Sequence, residues 1–115
     1  MARLRSDFWV SAYLRRCNME GATAVLRRRG SAEAGAIFIK VDRLDGSADL
    51  YGPVPQAGFD DSLDDDRQFS AILSQVETFA VEDRMKREIR FDSDLWLVEI
   101  ETRGGEHFLS IANDE

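Results

Sequence analysis

The sequence predicts an α+β domain, in which a small antiparallel sheet of hairpins is covered on one face by two amphipathic helices. Two hairpin-like stretches and two helical stripes of apolar residues indicate this fold. Of the 115 residues, 43% are hydrophobic and 32% charged, a composition typical of globular proteins. The length is typical of one domain, so we expect residues 1–115 to form a single domain.

The first helix is predicted over residues 7–19. Val10, Tyr13 and Cys17 recur there at helical spacing, and Gly21 favours the end of the helix. This helix therefore has one apolar face to bury.

The second helix is predicted over residues 79–90, where Val81 and Met85 begin an apolar stripe. Glu82 and Lys86 have the acid-before-base i,i+4 spacing that stabilises an exposed helix surface. We therefore expect this pair to face the solvent.

A hairpin is predicted between the strands at residues 36–44 and 48–52. The Asp45-Gly46 dipeptide between them favours a tight turn, because both residues tolerate positive φ. A two-residue loop would place Val41 opposite Leu50, on one buried face of the sheet.

A further strand is predicted at residues 23–29. Residues 67–73 are predicted as a short edge strand, with a helical turn as the alternative. A second hairpin is predicted from residues 95–102 and 106–111. The alternation in its first strand places Trp96, Val98 and Ile100 on the buried face, with Leu97 on the opposite side.

Three stretches of the chain resemble a known family. They are residues 8–16 (FWVSAYLRR), residues 41–46 continuing through 50–53 (VDRLDG and LYGP), and residues 90–99 (RFDSDLWLVE). In this order they resemble the domain of unknown function 1491 family, small proteins mainly of alphaproteobacteria. The resemblance extends over nearly the whole chain, and it implies no activity, cofactor or catalytic residue.

Charge is unevenly distributed along the chain. The formal net charge is −7, yet residues 1–29 contain seven arginines. We predict that Arg15, Arg16, Arg27 and Arg29 form a basic patch for an acidic protein partner. The alternative is that the strand arginines only protect a sheet edge from unwanted pairing. The negative net charge of the whole chain disfavours nucleic acid as the partner.

Three carboxylates offer an alternative, metal-binding interpretation. The predicted hairpin register places Asp42 opposite Asp49, and Glu99 on another strand could complete a metal site. A metal-dependent hydrolase or nuclease would need such a cluster, although surface charge patterning is the simpler explanation.

Other candidate sites are weaker. The five aspartates in residues 60–66 lack the glycine and the closing carboxylate of a calcium loop, so we expect a solvated surface loop. His107 and Cys17 are the only histidine and the only cysteine, and no motif supplies a catalytic partner for either. We therefore assign no catalytic residue and no cofactor.

The leading prediction is a non-enzymatic protein-interaction or regulatory module. With one cysteine and no apolar run long enough to span a membrane, we expect a cytoplasmic protein without membrane contact. A second copy of the chain, pairing at an exposed sheet edge, is a further candidate partner. The alternative is a small metal-dependent hydrolase or nuclease that uses Asp42, Asp49 and Glu99.

Overall fold

The computed structural model describes residues 4–54 and 67–112, which form two helices and six strands. The helices are α1 (Ser6–Met19) and α2 (Thr78–Phe91). The strands are β1 (Thr23–Arg28), β2 (Ile37–Asp42), β3 (Ser47–Pro53), β4 (Gln68–Glu77), β5 (Trp96–Glu101) and β6 (Ser110–Ile111). The α+β class and both helices are confirmed, whereas the loop predicted over residues 56–66 lies outside the described residues.

The six strands form one mixed sheet in the order β1-β5-β2-β3-β4-β6. The β2–β5 and β4–β6 pairs are parallel, and the other pairs are antiparallel. The prediction of a purely antiparallel sheet was therefore wrong.

The predicted C-terminal hairpin does not form. β5 has β1 on one side and β2 on the other, so neither of its edges is open to the following strand. β6 instead pairs with β4 near the opposite edge, where Ser110 is aligned with Gln68. The intervening residues 103–109, here called the C-terminal segment, place Phe108 and Leu109 against the same core cluster as α1.

The two helices cover opposite faces of the sheet, and the prediction that they share one face was wrong. Val10, Tyr13 and Cys17 of α1 belong to one core cluster with Ile39, whereas α2 packs into a second cluster with Phe38. Neighbouring residues of a strand point to opposite faces, so these clusters lie on two sides of β2. We call them the α1 face and the α2 face.

The first hairpin forms, but its register differs by one residue from the prediction. Val41 is aligned with Asp49 instead of Leu50, because the loop contains three residues, 44–46, instead of two. Leu44 and Gly46 both have positive φ, at 65° and 92°. The Asp42 carboxylate accepts a hydrogen bond from the Leu44 amide at 2.9 Å, which stabilises this longer loop. A one-residue shift moves Leu50 to the α2 face.

The predicted buried face of β5 is confirmed. Trp96 is 1% exposed, and Val98 and Ile100 are fully buried on the α1 face. Leu97 is also buried, because α2 covers the other face of the strand.

Across the described parts of the chain, neither helix has the length and apolar character that crossing a membrane requires.

Candidate interaction surface

A groove of about 240 Å³ separates α1 from the terminal strand β1. It is lined by Phe8, Ser11, Leu14, Leu26, Arg29 and Trp96, with Asp7 and Val10. Trp96 is buried at its base, whereas the Phe8 ring is 58% exposed. The groove therefore combines apolar walls with two oppositely charged side chains, Asp7 and Arg29, and an accessible aromatic ring.

β1 is an open edge of the described sheet. It is paired with β5 on one side, and no described strand lies on the other. Its pairing is regular from Thr23 to Leu26 and shifts between Leu26 and Arg28. An open strand edge presents backbone donors and acceptors that an extended peptide can pair with. We call Thr23–Leu26 the β1 edge; the side chain of Val25 within it is 50% exposed.

Of the four predicted arginines, Arg29 lines this groove and Arg15 lies just beyond it on α1. The Arg29 guanidinium is 5.3 Å from the centroid of the Trp96 ring, a distance typical of a cation–π contact. Arg15 is exposed and follows Ser11 by four residues, so it lies one turn further along the same side of α1. We call the groove with Arg15 and Arg29 the basic groove.

The other two predicted arginines lie elsewhere, so the four do not form one patch. Arg16 is on the opposite side of α1, where it bonds Glu20 at 3.2 Å and lies 5.6 Å from the Phe108 ring centroid. Arg27 reaches the α2 face and bonds Glu82 of α2. Regular alternation would place Arg27 and Arg29 on one face, but the register shift between Leu26 and Arg28 breaks that alternation and separates them.

Arg27 is part of an ion network on the α2 face. Its guanidinium donates to both Glu82 carboxylate oxygens at 2.8 Å and to Glu99 at 2.7 Å. The buried Lys40 ammonium lies 2.6 Å from Glu82 and 3.8 Å from Glu99. The hydrogen bonds from Arg27 and then Lys40 lower the pKa of Glu82 from 4.5 to about 2, against the opposing effect of burial. The bonds to Glu82 and Glu99 raise the pKa of Arg27.

This network ties α2 to three strands, which gives it a structural role. It also replaces the predicted Glu82–Lys86 pair, since Glu82 turns towards the sheet and bonds Lys40. A buried lysine needs a nearby carboxylate to offset the loss of hydration, and Glu82 supplies it.

The three carboxylates of the metal-binding alternative do not converge. Asp42 is aligned with Ala48, and Glu99 with Lys40, on the α2 face. Asp49 points to the α1 face, because the longer hairpin loop shifted its register. Over residues 4–54 and 67–112, no three His, Cys, Asp or Glu side chains form a group that could hold a metal ion.

Asp49 has its own structural partners. It is 1% exposed, and one carboxylate oxygen accepts from the Arg43 guanidinium at 2.9 and 3.0 Å. Its other oxygen accepts a hydrogen bond from the backbone N–H of Gln75 at 2.7 Å. Gln75 has φ 48° at an irregularity of β4, so Asp49 stabilises the bend of that strand.

His107 and Cys17 lie in structural surroundings on the α1 face. The Nδ1 atom of His107 accepts a hydrogen bond from the Leu109 amide at 3.0 Å, and burial lowers the pKa of the imidazole. Cys17 is fully buried beside Tyr13, and burial raises the pKa of its thiol. A buried thiol with a raised pKa is a poor nucleophile.

The structure defines a class of small α+β proteins, with a mixed six-stranded sheet between two helices and an open, arginine-flanked strand at one edge. A sequence model of the DUF1491 family, described as a protein of unknown function, matches residues 4–110. The chain therefore belongs to the DUF1491 family, which confirms the resemblance seen in the sequence.

Solved structures agree with this assignment. A crystal structure of a DUF1491 family protein from Caulobacter crescentus CB15 is 33% identical, with a TM-score of 0.79; the match covers 97% of this chain and 100% of that one. The solution structure of protein Atu0922 from A. tumefaciens is 40% identical, with a TM-score of 0.83 and coverage of 99% and 98%. A search of curated proteins finds no significant match.

Sequence reasoning missed the Arg27–Glu82–Lys40 cluster. One signal was present: Lys40 interrupts the apolar run of residues 37–41, and lysine is rarely buried without a partner. The identity of that partner depends on α2 crossing the opposite face, which no local pattern indicates.

Proposed function

We propose that this domain is a non-enzymatic protein-interaction module of the cytoplasm that binds an extended, acidic segment of a partner protein. The segment pairs with the β1 edge and places its acidic side chains along the basic groove. The observation that carries this proposal is the open edge of β1 beside the groove.

Backbone pairing at the β1 edge would supply affinity without demanding a particular sequence. The exposed side chains of Val25 and Phe8 provide apolar contact area next to that edge. Burying these two side chains against a partner would contribute favourable free energy in proportion to the apolar area removed from water.

Charge favours an acidic partner. Arg29 lines the groove and Arg15 lies one helical turn beyond Ser11, whereas the chain as a whole has a net charge of −7. The Asp7 carboxylate, which also lines the groove, is paired with Arg5. A local positive region on an acidic protein attracts negatively charged segments, while the rest of the acidic surface repels them. Such attraction between exposed charges weakens with salt, because the Debye length is about 8 Å at physiological ionic strength.

A paired set of charge reversals tests this proposal. Arg15→Glu with Arg29→Glu changes the basic groove, and Lys86→Glu with Arg103→Glu applies the same charge change at exposed positions elsewhere. Each variant is used for affinity purification from the native cells, and every recovered protein is then tested for direct, salt-dependent binding to the purified domain. We expect the groove variant to lose its main direct partner and the control to retain it. Equal recovery with both variants would contradict the proposal.

A second copy of the chain is the other candidate for the β1 edge. Antiparallel pairing of two β1 strands would extend the sheet and needs no charge complementarity. Sedimentation analysis separates the two occupants: self-association through β1 would persist in the Arg15→Glu, Arg29→Glu variant, while binding of the acidic partner would be lost.

A further inference from the structure

A second, larger cleft lies on the side of α1 away from β1. It has a volume of about 360 Å³, within the range of small-molecule sites. The residues used below, all lining it, are Trp9, Tyr13, Arg16, Arg67 and Phe108. We call it the Trp9 cleft; the partner-binding proposal does not involve it.

The walls of the Trp9 cleft are aromatic. The Trp9 and Tyr13 rings stack at a centroid distance of 5.0 Å with an interplanar angle of 15°. The centroids of the Trp9 and Phe69 rings are 5.3 Å apart, and this second aromatic contact helps to fix the orientation of Trp9. Phe108 lines the cleft from the C-terminal segment. Flat apolar walls of this kind favour a flat ring in the ligand.

Two arginines line the cleft, of which Arg16 supplies the exposed positive charge and Arg67 shapes the wall. Arg16 lies 5.6 Å from the Phe108 ring centroid, and its bond to Glu20 is an exposed pair, of the kind that contributes little free energy. Arg67 donates to the Leu4 carbonyl at 2.8 Å and to the Ser6 hydroxyl at 3.2 Å, which holds it in place. Guanidinium groups favour carboxylate or phosphate ligands.

The backbone at the Phe108 wall is strained. Phe108 has φ 58°, a conformation that is uncommon for a bulky residue. Hydrogen bonds on both sides hold it: the Tyr13 hydroxyl donates to the His107 carbonyl at 2.8 Å, and the Leu109 amide donates to His107 Nδ1 at 3.0 Å. Strain of this kind persists where surrounding contacts enforce it, and it clusters at ligand sites.

We propose that the Trp9 cleft binds a small organic anion consisting of a flat ring that carries a phosphate or carboxylate group. The ring lies against Trp9 and Phe108, and the anionic group faces Arg16. Aromatic walls alone would fit a neutral ring, and a guanidinium group alone would fit inorganic phosphate. Only the combination selects a molecule with both parts.

Titration of the purified domain tests this proposal by calorimetry and by tryptophan fluorescence, to which Trp9 and Trp96 both contribute. The probes are AMP and 2-naphthoate, which combine a ring with an anion, and adenosine and inorganic phosphate, which have one part each. We expect AMP or 2-naphthoate to bind at least about tenfold more tightly than either single-part probe. Comparing 2-naphthoate with 2-naphthyl phosphate, which share one ring system, distinguishes a carboxylate ligand from a phosphate ligand.

Two variants locate the site, each first checked for a cooperative thermal melt. Arg16→Gln should weaken the binding of the ring-plus-anion probe by about fivefold or more, as expected for loss of a charged contact. Arg87→Gln, an exposed arginine of α2, should leave the affinity unchanged. The proposal is overturned if no probe binds, if inorganic phosphate binds as tightly as AMP and 2-naphthoate, or if both variants weaken binding equally.

Discussion

The Arg27 guanidinium of β1 and the Glu82 carboxylate of α2 form a bidentate pair, with both N–O distances at 2.8 Å. These residues are 55 positions apart in the sequence. The pair joins the terminal strand of the sheet to the helix on the α2 face. It also withdraws Arg27 from the basic surface that the sequence predicts, so of these two arginines only Arg29 lines the groove.

Removing the Glu82 charge should destabilise the domain. Glu82→Gln weakens the bonds to Arg27 and leaves the buried Lys40 without its nearest carboxylate. We expect the unfolding free energy at neutral pH to fall by about 2 kcal/mol, as for hydrogen bonds to charged groups. Glu88→Gln, which removes the half-buried i,i+4 pair with Arg84 within one helix, should cost no more than about 0.5 kcal/mol. If urea denaturation gives the same loss of unfolding free energy for both variants, the network contributes no more stability than an ordinary helix pair.

The same pair should make stability depend on pH. The folded pKa of Glu82 is about 2, below its ordinary value of 4.5, so the carboxylate stabilises the fold above pH 4.5. This contribution is lost as pH falls from 4.5 towards 2, because Glu82 becomes protonated in the folded state. The difference in unfolding free energy between wild type and Glu82→Gln should therefore shrink over that interval. A difference that stays constant with pH would contradict this account.

Trp96 should be essential to the core. It is 1% exposed, and its indole N–H donates to the Ser31 carbonyl at 2.8 Å. Trp96→Ala should lower the unfolding free energy by about 3–5 kcal/mol, the usual cost of deleting a buried large aromatic side chain. Phe91, 90% exposed at the end of α2, is the matched control. Phe91→Ala should change the unfolding free energy by less than about 0.5 kcal/mol. Similar thermal melts for both variants would refute the assignment of faces on β5.

Cys17 should be unreactive in the folded protein. Its side chain is fully buried and burial raises the pKa of the thiol, whereas alkylation requires an accessible thiolate. Iodoacetamide at mildly alkaline pH should therefore label the native protein far more slowly than the guanidinium-denatured protein, as measured by intact mass. Equally fast labelling of both forms would place Cys17 at the surface.

The sequence predicts local elements well, because the information for them is local. The spacing of Val10, Tyr13 and Cys17 identifies α1, and the alternation around Trp96 identifies the α1 face of β5. The hairpin register failed by one residue, since the Leu44 backbone adopts a positive φ that an L-residue rarely takes. Nothing in the Asp45-Gly46 dipeptide excludes that longer loop.

The arrangement of strands and helices could not be predicted in the same way. The runs of residues 37–39 and 95–98 are apolar without alternation, which is the pattern of strands buried on both faces. That signal indicates a helix on each side of the sheet, yet it does not specify which strands are neighbours. The insertion of β5 between β1 and β2, and the pairing of β6 with β4, depend on contacts between distant segments.

The same limit applies to the candidate surfaces. The sequence singles out Arg15 and Arg29 as basic residues, but only the fold places Arg29 in a groove beside an open edge, with Arg15 on the same side of α1. The sequence gives no indication that Trp9 and Phe108 line a common cleft, because these two residues are about a hundred positions apart in the chain.

The most direct test of the central claim is hydrogen–deuterium exchange of the domain, with and without the partner protein that it recovers directly. The outward-facing amides of Thr23–Leu26 have no described strand to pair with, so they should exchange quickly in the free domain. An acidic segment that pairs along β1 should slow their exchange and that of the residues around Arg29, while the exposed surface of α2 remains unchanged. Protection confined to α2 or to the C-terminal segment, with β1 exchanging as fast as before, would contradict the account.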